Sequence, residues 1–113
     1  MLFITRNELK RMMDQRKDFV LIETRPADDF EREHIPGAIN VPLDEPGFEE
    51  RVREACPEVD RDVIIYGDGM ESLRDCAMRL ESLGYTSIYA YQGGKEDWLH
   101  PGRREGEADR PTA

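Results

Sequence analysis

Cys56 and Cys76 are the only thiols in the chain, and His34 and His100 its only imidazoles. These side chains could serve as nucleophile, general base or metal ligand near neutral pH. Their settings argue against each role. Cys76 is spaced with Leu73 and Leu80 at helical intervals, which places it on an apolar helix face and reads as a small buried thiol. Cys56 precedes Pro57 in a connecting segment, with no adjacent His or Lys to favour a thiolate. His34 belongs to the turn His34-Ile35-Pro36-Gly37 and suits a structural hydrogen bond. His100 stands where a polar tail begins and receives no role. No pair of His or Cys has metal-ligand spacing, so neither a metal nor a cofactor is expected. Asp68 and Glu71 are two acids on a glycine-rich turn, a pattern more typical of a solvated loop than of a cation site. Trp98 reads as packing against the end of a sheet.

The elements that would position these residues follow from the apolar pattern. Leu2 to Ile4 form a short strand expected at an edge. Thr5 and Glu8 make a capping box for a helix that buries Leu9 and Met12 or Met13 and ends near Lys17. Phe19-Val20-Leu21-Ile22 and Val63-Ile64-Ile65-Tyr66 are continuous apolar runs, as expected of parallel strands buried on both faces. Pro26 suits the first turn of a short helix, with Asp28 and Asp29 near its positive end. Ile35 to Pro42 read as a turn entering a short strand. Phe48 and Val52 mark a helix whose Glu49, Glu50, Arg51 and Arg53 face water. Gly67-Asp68-Gly69 form a turn before a helix spanning about residues 72–83, with Leu73, Cys76, Ala77 and Leu80 on one face and Gly84 as its stop. Ser87 to Tyr91 read as a further strand, and a short helix with Trp98 closes the domain. Strands alternating with helices predict a three-layer α/β/α domain around a central, mostly parallel, five-stranded sheet.

The chain has 113 residues, enough for one domain with one core, here residues 1–101. Residues 102–113 lack an apolar anchor and are expected to be a disordered tail. The formal net charge of -9 disfavours nucleic acid and anionic membrane surfaces as partners. No apolar run approaches the ~18 residues of a membrane span. The opening turns charged at Arg6, unlike a secretory leader, and two thiols make no disulfide framework, so a reduced, cytoplasmic monomer is expected.

Three segments together resemble one family. Glu23-Thr24-Arg25 followed by His34-Ile35-Pro36-Gly37-Ala38-Ile39-Asn40-Val41-Pro42 is similar to the rhodanese pattern of Asp-x-Arg and His-Ile-Pro-Gly-Ala-x-Asn-x-Pro. The strand, loop and helix from Val63 to Gly84 form the second segment. Gly93-Gly94 with Trp98 looks like the family's closing Gly-Gly-x-x-x-Trp. The resemblance covers about residues 3–99 and implies a doubly wound, rhodanese-like sheet. It also implies an active loop at the end of the fourth strand, where a Cys thiolate is held by converging N–H groups at a helix N-terminus.

In this chain that loop reads Gly67-Asp68-Gly69-Met70-Glu71-Ser72. Gly67 takes the family's Cys position, and Ser72 takes a position where many members carry Arg. Asp68 and Glu71 add negative charge where an anionic substrate would sit. No nucleophile, no cation and added repulsion all point the same way, so no catalytic residue is expected. Glu23 replaces the family's usual Asp; Arg25 is expected to pair with it or with a neighbouring carboxylate, both as structural residues. The expectation is a catalytically inactive domain that acts as a binding or regulatory module toward a protein partner still to be identified. The alternative is a sulfurtransferase that uses another thiol.

Overall fold

The computed structural model describes residues 1–101, and the expected tail at 102–113 lies outside the described residues. Ten elements alternate along the chain. They are β1 (Leu2–Ile4), α1 (Arg6–Asp14), β2 (Phe19–Glu23), α2 (Ala27–Arg32), β3 (Ile39–Asn40), α3 (Phe48–Ala55), β4 (Asp62–Tyr66), α4 (Met70–Ser82), β5 (Ile88–Tyr91) and α5 (Gly94–Leu99). The five strands form one sheet in the order β1-β5-β4-β2-β3, and every pairing is parallel. The two apolar runs are neighbours in register, with Val20 beside Val63 and Ile22 beside Ile65.

Alternation along each strand divides the core into two layers, because successive side chains leave opposite faces of a sheet. Val20, Ile22, Val63, Ile65, Ile88 and Ala90 pack with Phe48 and Val52 of α3 and with Leu73, Cys76, Ala77 and Leu80 of α4. Leu21, Ile64, Tyr66 and Tyr91 pack on the other face with Leu9 of α1 and Ile35, flanked by the half-buried Met12, Met13 and Trp98. Covered faces on both sides are what makes the central strands uniformly apolar.

Local signals set the helix ends. Thr5 Oγ1 accepts from the Glu8 N–H, and the Glu8 carboxylate accepts from the Thr5 N–H, so both halves of the capping box form. Gly84 ends α4 with φ +99°, a left-handed conformation that favours glycine. Some boundaries differ from the sequence reading. Helix α1 stops at Asp14, and Arg16 has φ 53° in the turn that follows. Pro26 is the N-cap of α2 and not part of its first turn. Helix α4 starts at Met70 because the turn after β4 is only three residues long. Glu49 is half-buried and accepts from Arg79 Nε at 2.8 Å; the Arg79 guanidinium also lies 4.6 Å from the centre of the Phe48 ring.

A polar network is buried where the strands end. Glu23 closes β2 and is fully buried, directly across from Tyr66 at the end of β4. Tyr66 Oη donates to Glu23 Oε1 at 2.8 Å and accepts from the Ile35 N–H at 3.1 Å. Burial, reinforced by the Glu23 carboxylate, pushes the Tyr66 hydroxyl pKa well above its ordinary range. Lys95 Nζ donates to Glu23 Oε2 at 3.0 Å and to the carbonyls of Asp29 and Glu33 at 2.7 and 2.8 Å. That uses all three donors of the ammonium. Removing one partner of a buried ion pair strands the other charge and costs about 3 kcal/mol or more. Lys95→Met should therefore lower unfolding stability by about 3 kcal/mol in urea titrations. Adding Glu23→Gln should recover part of that loss by removing the stranded charge. A Lys95→Met chain with an unchanged midpoint would show that the bridge does not hold these loops.

Candidate functional site

Beyond the C-terminal ends of the strands lies an open cleft of about 330 Å³, lined by Arg25, Asp29, Arg32, Glu33, Gly67, Gly93, Gly94, Lys95 and Glu96. Three separate stretches of chain build it. The segment after β2 supplies Arg25, Asp29, Arg32 and Glu33, the turn after β4 supplies Gly67, and the turn after β5 with the first residues of α5 supplies the rest. Ligand sites in open parallel sheets sit at this end of the strands. Gly94 allows the last turn to close on the cleft, with φ +63° and space beside the Gly67 carbonyl.

Beside Gly67 stands a side chain to which the sequence pattern gives no role. Thr24 is buried, and its Oγ1 donates to the Tyr66 carbonyl at 3.3 Å. A Cβ built on Gly67 would overlap Thr24 Oγ1 and lie 3.3 Å from Thr24 Cβ. The Thr24 hydroxyl thus stands where the first atom of a side chain at position 67 would go.

The expected site residues are only partly gathered here. Of the loop Gly67-Asp68-Gly69-Met70-Glu71-Ser72, Gly67 alone lines the cleft. Asp68 and Glu71 are exposed, and Met70, Glu71 and Ser72 already belong to the first turn of α4. The cation missing from the loop at Ser72 is not the whole charge of the cleft: Arg25, Arg32 and Lys95 all line it. These charges come from segments other than the loop, so the loop sequence did not reveal them.

Each cation is nevertheless matched by an acid. Arg25 lies 3.2 Å from Asp29 and 3.5 Å from Asp68, Arg32 contacts Asp29, and Lys95 holds Glu23. Burial works against the Asp29 carboxylate, but Arg25 and Arg32 outweigh it and hold its pKa below the ordinary value. Arg25 therefore pairs with neighbouring carboxylates and not with Glu23, whose partner is Lys95. The sequence separation between Glu23 and Lys95 hid that pairing, and the longer Glu side chain lets one carboxylate reach both Lys95 and Tyr66.

His34 and the thiols lie elsewhere. The His34 ring stacks on Phe30 with centroids 3.8 Å apart, and its Nδ1 lies 2.8 Å from the Phe30 carbonyl. Cys56 and Cys76 are both free and fully buried. Desolvation pushes the Cys76 thiol pKa up to about 12 and also raises that of Cys56. Trp98 meets Tyr91 edge-on with centroids 6.3 Å apart, and the Arg6 guanidinium lies 5.0 Å from its ring centre, consistent with packing at the sheet end. His100, given no role by the sequence, stands near Glu33 and Glu96 at the rim of the cleft.

Comparison with known proteins fits this architecture. Thiosulfate sulfurtransferase/rhodanese-like domain-containing protein 3 of Mus musculus is 34% identical over 107 residues, covering 85% of this chain and 67% of that protein. Thiosulfate sulfurtransferase PspE of Escherichia coli is 31% identical over 80 residues, covering 71% of this chain and 74% of its own length. Among solved structures, a thiosulfate sulfurtransferase from Pseudomonas aeruginosa superposes with a TM-score of 0.79 at 26% identity, over 90% of this chain and 19% of that one. Residues 5–101 match the Rhodanese-like domain family, and with the all-parallel sheet and the strand-end cleft this chain belongs to it.

Proposed function

We propose that this domain is a catalytically silent rhodanese that acts as a binding or regulatory module for another protein. The observation that carries the reading is Gly67 at the end of β4, with the Thr24 hydroxyl in the space a side chain there would need. By resemblance to the family, this is the place of the nucleophilic Cys. Without a thiol no persulfide forms at that position, so the covalent route is lost outright. The neutralised cleft adds to this, since its cations are already paired and offer little net attraction to an anionic sulfur donor.

The names of the relatives favour a second reading, sulfur transfer through another thiol. Burial of Cys56 and Cys76 weighs against it, because attack requires an accessible thiolate. A raised thiol pKa keeps Cys76 protonated at neutral pH.

The unmodified chain should therefore show no thiosulfate:cyanide sulfurtransferase turnover above buffer. Turnover that disappears on mutating Cys56 or Cys76, with a one-sulfur mass increase on that residue, would establish the second reading instead. An aromatic disulfide reagent should titrate Cys76 slowly in the native chain and rapidly in denaturant. Equal rates in the two conditions would show that its burial does not protect it.

The close fit of Thr24 and Gly67 has its own test. Gly67→Ala should cost about 1–3 kcal/mol, the usual range for overpacking a filled site. Combining it with Thr24→Ala should cost less than the sum of the two single changes, by about 1 kcal/mol, because the residues share one space. Additive losses in a urea double-mutant cycle would mean that Thr24 does not occupy that space. The same contact leads us to expect that Gly67→Cys alone restores little sulfurtransferase activity.

A further inference from the structure

Two carboxylates and an imidazole converge at the rim of the cleft. Glu33 is the C-cap of α2, Glu96 lies in α5, and His100 is the C-cap of α5. One ligand atom from each falls within 4.8 Å of the other two. The backbone bond from the His100 N–H to the Glu96 carbonyl, 2.9 Å long, continues the helical turn and keeps these two residues together. His100 Nε2 lies 3.9 Å from Glu33 Oε2. Helix α2 is tied to the start of α5 by Lys95, whose Nζ donates to the Asp29 and Glu33 carbonyls. The group thus joins two anchored elements.

We propose that Glu33, Glu96 and His100 form a binding site for a divalent first-row transition-metal ion, with zinc as the representative case. The donor set is one borderline nitrogen and two hard oxygens, which suits such ions better than a set of oxygens alone suits them. Tetrahedral zinc with bonds of about 2.0–2.2 Å needs its ligand atoms about 3.3 Å apart. Side-chain rotation closes the remaining gap. Glu33 and Glu96 are exposed and His100 half-buried, so the motion disturbs no core packing. The charge of the surroundings helps, since the chain carries a formal net charge of -9. The Lys95 ammonium is engaged by the Glu23 carboxylate and by the Asp29 and Glu33 carbonyls. Three protein ligands leave a fourth position for water, and both carboxylates line the cleft. A bound ion would place a cation at the mouth of a cleft whose own charges are internally paired.

Calorimetric titration of the full chain with zinc chloride tests the site. The expected result is saturable binding of one ion per chain. His100→Ala, Glu33→Gln and Glu96→Gln should each weaken binding by at least about tenfold. Circular dichroism should confirm that the variants stay folded, as expected for changes on the rim. Imidazole nitrogen NMR supplies a second measurement, in which zinc should move the His100 resonances and leave His34 as an internal control. No saturable binding, or binding unchanged in the His100→Ala variant, would overturn the proposal. So would equal competition by magnesium, which would mark nonspecific attraction to acidic surface.

Discussion

The buried carboxylate of Glu23 is the constraint on which the strand-end architecture depends. An ionised carboxylate out of water costs several kcal/mol unless paired and hydrogen-bonded. Here Lys95 and Tyr66 take one oxygen each, and those partners carry the constraint outward. Tyr66 fixes the Ile35 N–H and with it the turn before β3. Lys95 fixes the carbonyls of Asp29 and Glu33 at the end of α2. Asn40 adds a further tie by donating to the Glu23 and Arg25 carbonyls at 3.1 and 2.8 Å. Segments distant along the chain are held around one charge, and the cleft is the space between them.

That scaffold is independent of the loop residue that would do chemistry. Gly67 contributes no side chain to the network, and the space beside it is taken by Thr24. The Glu23 network therefore holds the cleft together without a nucleophile at the end of β4, consistent with function residing in grafted sites and not in folds. Cys56 and Cys76 illustrate the opposite case. Both are packed in the larger of the two apolar layers, where a thiol serves as a small hydrophobic group.

Most of the fold was legible in the sequence because it rests on local signals. The apolar runs at Val20 and Val63 declared buried strands, Thr5 and Glu8 declared a helix start, and Gly84 declared a helix end. The His-Ile-Pro-Gly-Ala turn and the Gly-Gly-x-x-x-Trp ending identified the family. The site was less legible because its contacts are long-range. Nothing near Glu23 announces Lys95, and nothing near His100 announces Glu33. Thr24 lies between the charged motif residues Glu23 and Arg25, yet its role follows from a close approach to Gly67 that only the packed sheet creates. Asp68 and Glu71 were legible as acids, but Arg25 and Arg32 reach the cleft from another segment.

The strand order has a consequence for how the domain is made. Among the described residues strand β1 pairs only with β5, so it has no partner in the sheet until Ile88–Tyr91 has been synthesised. At about 5–20 residues per second, a nascent chain waits several seconds between making the two. During that time Leu2 and Phe3 have no neighbouring strand, while β2 and β4 can already pair. Folding on the ribosome should then begin at the centre of the sheet and finish at its β1 edge, which leaves that edge as the part most dependent on the completed C-terminal half.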